Sequence, residues 1–186
     1  MKFISDKTYI KIDREELFSA EYENCVFQEC DFSAFNFKGY KFIDCSFESC
    51  NLSLMNVSQC SLQTVRFQEC KMVGILFEQV NPFSLELSFD DCNLSQCSFY
   101  NLNLSNTPFT SCILQEVDFT ESNLAKAQFS NSDLTNTIFD NTNFEKASLI
   151  GATNFQINPE TNKIRGLKIE NENLAGLLAQ YNLDII

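Results

Sequence analysis

The chain has 186 residues, a net charge of −12, and neither histidine nor tryptophan. The missing histidine excludes Ser-His-Asp and Cys-His catalysis and every His-ligated metal centre. No stretch approaches the ~20 apolar residues that span a bilayer, and the opening residues mix Lys2, Asp6, Lys7 and Lys11 with apolar neighbours, so neither a membrane span nor a signal segment is expected and a cytoplasmic location is.

Residues 1–20 read as an amino-terminal cap, a strand and turn within Lys2–Phe18 whose charges blunt edge-to-edge growth. From Tyr22 every fifth residue is apolar: Tyr22, Phe27, Phe32, Phe37, Phe42, Phe47, Leu52, Val57, Leu62, Phe67, Met72, Phe77. After a break the series resumes as Phe89, Leu94, Phe99, Leu104, Phe109, Leu114, Phe119, Leu124, Phe129, Leu134, Phe139, Phe144, Leu149. All 25 positions are apolar, and 14 of the 19 phenylalanines fall on them. With the apolar centre written i, position i−2 holds all nine cysteines and, further on, Ala127, Ser132, Thr137, Thr142, Ala147 and Ala152. Position i−1 favours Asp, Asn or Ser; i+1 and i+2 are mostly polar. A period of five fits neither helix nor strand. It demands a chain that turns a corner every five residues and sends one large and one small side chain inward at each step.

The gap between Phe77 and Phe89 is 12 residues, not a multiple of five. The segment Glu78–Glu86 contains Asn81-Pro82, a turn signal. It reads as a loop, either two extra residues in a corner or seven to nine with fewer left in the wall. As a partner-binding loop it offers Glu78, Gln79, Asn81, Pro82, Phe83 and Glu86, because function concentrates on loops held by rigid scaffolds; a tolerated corner insertion is the plainer alternative. Past Ala152 the period fails. Residues 156–186 read as a turn at Asn158-Pro159, a short strand, and a short helix over Glu170–Gln180 whose Leu174, Leu177, Leu178 and Tyr181 recur at helical spacing. That face caps the last coil or forms a two-fold dimer contact; the sequence leaves both open.

The five-residue unit stands as Ser-Asn-Leu-Ala-Lys at Ser122–Lys126 and Ser-Asp-Leu-Thr-Asn at Ser132–Asn136. In this, over roughly residues 20–155, the chain resembles the pentapeptide-repeat family. The resemblance implies one all-β domain over residues 1–186: a right-handed quadrilateral parallel β-helix, the pentapeptide-repeat solenoid, at 21–155, with a short C-terminal α-helix. Four steps would close a 20-residue coil, giving about six coils and a rod some 30 Å long at the ~4.8 Å strand spacing. Phe and Leu alternate from Phe89 to Phe139, so four walls would put Phe on two opposite walls, with Phe99, Phe119 and Phe139 in one column and Leu94, Leu114 and Leu134 in another. Cys30, Cys50 and Cys70 would stack in one column, continued by Cys92 and Cys112 if the loop adds two residues; their reading is buried small hydrophobes rather than disulfides or a metal site. Beside them Glu29, Glu69 and Asp91 would form an outer acidic stripe.

No catalytic constellation and no phosphate-binding glycine loop is present, so the expectation is a binding protein without cofactor or metal. Residues 21–155 carry six basic and 17 acidic groups, a net of −11. Such a body repels nucleic acid and anionic membranes and attracts basic surfaces. Within the family the size, the single mid-rod loop and the tail Ile157–Ile164 look most like the Qnr and McbG type. That resemblance implies a dimeric DNA mimic, paired through the C-terminal end, that binds DNA gyrase and topoisomerase IV through their basic DNA-binding groove and protects them from quinolones or a peptide toxin. A scaffolding module with a different protein partner is the alternative.

Overall fold

The corner that the five-residue period demands is made by a residue in the left-handed backbone region. At i+2 of successive steps φ is 51° at Asn24, 51° at Glu29, 53° at Ala34, 50° at Asp44 and 52° at Ser49, and the same sign recurs at almost every step to Lys146. A non-glycine residue held there costs about 1–2 kcal/mol, so the corners persist because the packing and hydrogen bonds on either side of them outweigh the strain.

The computed structural model describes residues 2–181, 183 and 184. Its walls are stacks of parallel backbone. The first wall contains β1 (Lys2–Ser5), β3 (Ala20–Glu23), β5 (Lys41–Ile43) and β7 (Ser61–Gln63), paired in that order. A single bridge adds Asn81 to Ser61, and past the break single bridges join Asn103, Asn123, Asn143 and Lys163 in turn. The second wall contains β2 (Thr8–Ile10), β4 (Val26–Gln28), β6 (Ser46–Glu48), β8 (Val65–Gln68), β9 (Leu87–Asp90) and β10 (Phe109–Thr110). Walls three and four are bridges only, such as Asp31↔Asn51↔Lys71↔Asn93 and Asn36↔Asn56. Partners lie 18 residues apart from the first coil to the second, as in Tyr9↔Phe27, 20 apart from there to the break, as in Phe27↔Phe47, and 22 across it, as in Phe67↔Phe89. The four-sided parallel coil is therefore the fold.

The interior is filled as the repeat requires. Tyr22, Phe27, Phe32, Phe37 and the later centres are buried, and so are all nine cysteines, each a free thiol. From Phe89 to Phe139 phenylalanine occupies walls two and four, and Phe144 returns a ring to wall one. Phe77 stacks on Phe99 at 4.6 Å, Phe99 on Phe119 at 5.2 Å and Phe119 on Phe139 at 5.6 Å; Phe89, Phe109 and Phe129 stack on the opposite side. The two columns meet edge to face, as at Phe89–Phe99. Both geometries suit the ring quadrupole and add about 0.5–1.5 kcal/mol per pair beyond burial.

Stacking extends past the periodic residues at both ends. β1 and β2 lie in register on β3 and β4 as the first coil, where a separate cap was expected. At the other end Lys163 bridges Asn143 and Lys168 bridges Ser148, so the tail makes a further coil. The C-terminal helix is wound as 3-10 turns, Asn171–Leu177 and Ala179–Tyr181, rather than as the expected α-helix. Its bonds run i to i+3, as in Asn173 N–H to Glu170 O and Leu178 N–H to Ala175 O. A segment this short gains little from α-helical propagation, and Gly176 weakens it further.

Candidate partner-binding surface

The break resolves into a wall and a bulge. Gln79 still bonds its neighbours in the wall, accepting from Gln59 N–H at 2.9 Å and from Ser58 Oγ at 2.7 Å. Glu78 lies in a 3-10 turn, Phe77–Gln79, with one carboxylate oxygen buried and unpartnered. Asn81 bridges Ser61 at the regular offset of 20, whereas Leu87 already pairs Val65 at 22. The two extra residues therefore fall within Pro82–Glu86, the shorter of the two readings of the loop. Of the six loop candidates, Glu78, Gln79 and Asn81 are wall residues and Pro82, Phe83 and Glu86 belong to the bulge. Phe83 is 72% exposed at its tip.

Proline makes the bulge possible. In regular coils the centre N–H bonds the next coil, as Leu104 bonds Asn123 O, and the i−1 N–H bonds the previous one, as Asn123 bonds Leu102 O. Pro82 stands at a centre and Pro108 at an i−1 position, so both donors are gone. Below the bulge lies a cleft of about 520 Å³ at the corner of walls one and two, lined by Thr64–Arg66, Leu85–Ser88 and Ser105–Pro108.

The proposed acidic stripe is interrupted. Glu29, Glu69 and Asp91 do share one corner column, all with left-handed backbones that hold the side chains outermost. Lys11 stacks on Glu29, Nζ to Oε2 2.8 Å, and offsets its charge. Ser49 stands between, its Oγ donating to Glu69 Oε2 at 3.0 Å. What remains is Glu69 and Asp91 with Asp90 beside them. The larger acidic feature is a belt. Residues 72–125 hold Glu78, Glu86, Asp90, Asp91, Glu116, Asp118 and Glu121 and no Lys or Arg at all. By register Asp90 and Asp91 belong to wall two, Glu116 to wall three, and Glu78, Asp118 and Glu121 to wall four. The signal for it, a long run without a basic residue, was in the sequence.

Wall one differs. Its acids are Asp6, Glu21, Glu23, Asp44, Glu86 and Glu145; its bases are Lys2, Lys41, Lys126, Lys146, Lys163 and Arg165. They are segregated: five of the six acids stand at or before the bulge, and four of the six bases after it. Lys126, Lys146 and Arg165 line a shallow cleft of about 320 Å³ with Ala125 and Glu145. Among the described residues the ion pairs are Lys11–Glu29 and Lys41–Glu21, so the four later bases are unpaired there.

At the carboxyl end the four expected contact residues divide. Leu177 packs against the core, and Gly176 lies so close to Phe155 that an added Cβ would stand 2.5 Å from its carbonyl oxygen. Leu174, Leu178 and Tyr181 are exposed, with Tyr181 OH donating to Glu160 Oε1 at 2.6 Å. The segment thus covers the last coil with one face and leaves an apolar edge outside. Burial pushes the Cys45, Cys60, Cys97 and Cys112 thiols up to about 12, far from the thiolate that reactivity needs. No helix among the described residues is long and apolar enough to cross a membrane.

Comparison with known proteins agrees with this geometry. Two trypsin-treated variants of QnrB1, a plasmid-mediated fluoroquinolone resistance protein, superpose with a TM-score of 0.65 at 18% identity, over 99% and 100% of this chain and 100% of each of theirs. HetL, a pentapeptide repeat protein involved in heterocyst differentiation regulation in the cyanobacterium Nostoc sp. strain PCC 7120, matches at a TM-score of 0.47 and 12% identity over 89% of this chain and 84% of its own. No curated protein matches significantly in sequence. The family model described as "Pentapeptide repeat region" matches residues 20–84 and 82–149. With most of the chain covered by that repeat, and a coil that turns at every fifth residue, the protein belongs to the pentapeptide-repeat family.

Proposed function

We propose that this chain is a non-catalytic acidic rod that occupies the DNA-binding groove of a protein partner, most concretely DNA gyrase or topoisomerase IV in the cytoplasm, and protects it from quinolones. One observation carries the reading. The belt of residues 72–125 spans about 2.5 coils, or about 12 Å at the ~4.8 Å spacing, and holds seven carboxylates uninterrupted by a cation. That is one negative charge per about 1.8 Å of rod, close to the ~1.7 Å of duplex DNA. A groove lined by Arg and Lys would accept such a belt through steering and charge complementarity. The shared fold with QnrB1, named for fluoroquinolone resistance, supports trying this partner first. The bulge at Pro82, Phe83 and Glu86 lies within the belt and would supply the contact that distinguishes one groove from another. Leu174, Leu178 and Tyr181 would join two rods end to end.

A gyrase supercoiling assay with and without a fluoroquinolone tests this. The wild type should inhibit or protect at micromolar levels. Neutralising Asp90, Asp91, Glu116 and Glu121 to their amides should weaken the effect at least tenfold. A wild type that does neither at those levels would sink the gyrase reading.

A further inference from the structure

We propose that the cleft below the bulge binds an extended peptide segment of a protein partner, one main-chain amide of which replaces an amide missing from the corner between walls one and two. In regular coils that corner carries one peptide unit per coil. Its C=O accepts from the corner N–H of the coil before, and its N–H donates to the coil after. Asp6 N–H bonds Glu23 O at 3.1 Å, Asn24 N–H bonds Ile43 O at 3.0 Å and Asp44 N–H bonds Gln63 O at 2.9 Å. Past the bulge Asn106 N–H bonds Ala125 O at 2.9 Å, Lys126 N–H bonds Glu145 O at 2.9 Å and Lys146 N–H bonds Arg165 O at 3.0 Å.

Between Thr64 and Ser105 this ladder is broken. Ser84 takes the left-handed corner, φ 54°, within the bulge. Glu86 spends its N–H on Leu62 O at 3.3 Å, and its C=O accepts from Val65 N–H at 2.9 Å. Among the described residues no backbone acceptor meets Thr64 N–H and no backbone donor meets Ser105 O. Both residues line the cleft of about 520 Å³. They stand two coils apart, about 9.6 Å at the ~4.8 Å spacing, so one peptide unit midway reaches both. Its C=O accepts from Thr64 N–H and its N–H donates to Ser105 O, the two bonds that regular corner units make. A carboxylate only accepts and an ammonium only donates, whereas an amide does both in opposite directions.

The lining suits the rest of a segment. Leu87 O is a further free acceptor, because Pro108 stands where Gln128 and Ser148 donate to Thr107 O and Ala127 O in later coils. Val65 and Leu87 are buried apolar residues of the lining. Arg66 is exposed there without an ion pair among the described residues, and would take an acidic side chain. The volume falls within the ~300–1,000 Å³ of ligand sites. Pairing of a guest main chain with an open ladder supplies affinity, and the flanking side chains supply specificity. This binding is independent of the groove that the acidic belt enters.

Amide NMR of the full chain reads the site. In the free protein Thr64 N–H should exchange with solvent at least tenfold faster than Asp44 N–H. The probe is the blocked tripeptide acetyl-Gly-Asp-Gly-amide, titrated to about 10 mM, which detects a Kd near ~1 mM. It should shift the Thr64 and Asn106 signals and slow exchange at Thr64 about tenfold, leaving Asp44 and Lys126 unchanged. Arg66→Gln should weaken the probe several-fold without altering the fold. Equal protection of Thr64 and Asp44 in the free protein would overturn the proposal, since the ladder would then be closed. So would an unmoved Thr64 signal at the end of the titration. Equal shifts from sodium acetate would overturn it in favour of an anion at Arg66, and equal shifts from N-methylacetamide would leave no role for a segment.

Discussion

From Cys25 to Cys112 the inward slot i−2 holds all nine cysteines, interspersed with larger residues such as Phe35, Tyr40, Met55 and Leu102; from Ser122 to Ala152 it is serine, threonine or alanine, and at Asn162 an asparagine. The small side chains do one job. Cys45, Cys50, Cys70, Cys92 and Cys97 each direct the sulfur at the carbonyl oxygen of the centre residue one coil earlier, at 3.4, 3.3, 3.3, 3.4 and 2.8 Å. Ser132, Thr137, Thr142 and Asn162 reach the same oxygen from the same slot at 3.0, 2.7, 2.9 and 3.0 Å. Where alanine fills the slot, a turn has already supplied a donor: Leu124 O, one coil above Ala147, accepts from Ala127 N–H. The slot thus supplies a side-chain donor to a buried centre carbonyl, beside the turn N–H at Leu114 O and Phe119 O. The centre residues differ too. The early coils are aromatic on every wall from Tyr22 to Phe47, and those from Phe89 to Phe139 set rings on two walls only.

The largest expected effect falls on the ring columns. Phe99 is fully buried between Phe77 and Phe119, so Phe99→Ala should cost about 3–5 kcal/mol. Phe83→Ala, at the exposed tip of the bulge, should stay within about 0.5 kcal/mol. Urea unfolding of both variants gives the contrast directly. A Phe99→Ala loss below about 1 kcal/mol would mean that the stacked columns are not what holds the later coils together.

The beat of five, the burial of its centres and the pairing of Phe with Leu walls were all legible in residues 22–149, because each inward side chain is dictated by a local rule. The ends were not. Lys2–Ile10 and Asn158–Lys168 stack as coils although they lack the period, because backbone ladders accept residues that the core pattern would not. The bulge was half legible: Asn81-Pro82 marked it, but only register shows that Glu78, Gln79 and Asn81 remain in the wall. The acidic stripe was half legible for a similar reason. Glu29 and Glu69 share a column, but charge depends on what stacks between and above them, and Lys11 comes from outside the repeat.

The slot rule gives sharper and smaller effects. Cys70→Ala removes the thiol that Phe47 O receives at 3.3 Å and should cost about 1 kcal/mol, whereas Cys70→Ser should recover most of that. In the later coils Ser132→Ala should cost about 1 kcal/mol, since Ser132 Oγ serves both Phe109 O and Cys112 N–H. Ser122 occupies an equivalent slot, but Phe99 O already accepts from Leu102 N–H, and the Ser122 hydroxyl is buried without a partner. Ser122→Ala should therefore be neutral or stabilising by up to about 1 kcal/mol. Thermal unfolding of the pair decides the matter: equal losses at Ser122 and Ser132 would refute the carbonyl-serving role and leave only packing.

Asp133 makes the smallest test, and a pH-dependent one. It stitches wall three in the later coils, accepting from Gln115 Nε2 at 2.6 Å, Thr135 Oγ1 at 2.6 Å and Asn154 Nδ2 at 2.8 Å. Partial burial pushes its pKa up, and those three bonds more than offset this, leaving about 2 against an ordinary 3.8. A carboxyl depressed on folding stabilises fully above its unfolded pKa, and that contribution drains away as pH falls through about 4 to about 2. The group is largely open to solvent, so screening holds the effect to about 1 kcal/mol. Asp133→Asn keeps an uncharged side chain at every pH. The stability difference between wild type and variant should then be constant above pH 5 and shrink by up to about 1 kcal/mol down to pH 2. A flat difference across that range would show that the three bonds bind the protonated and ionised carboxyl equally. The stitch would then be geometric, like the asparagine ladder Asn103–Asn123–Asn143 on wall one, and not electrostatic.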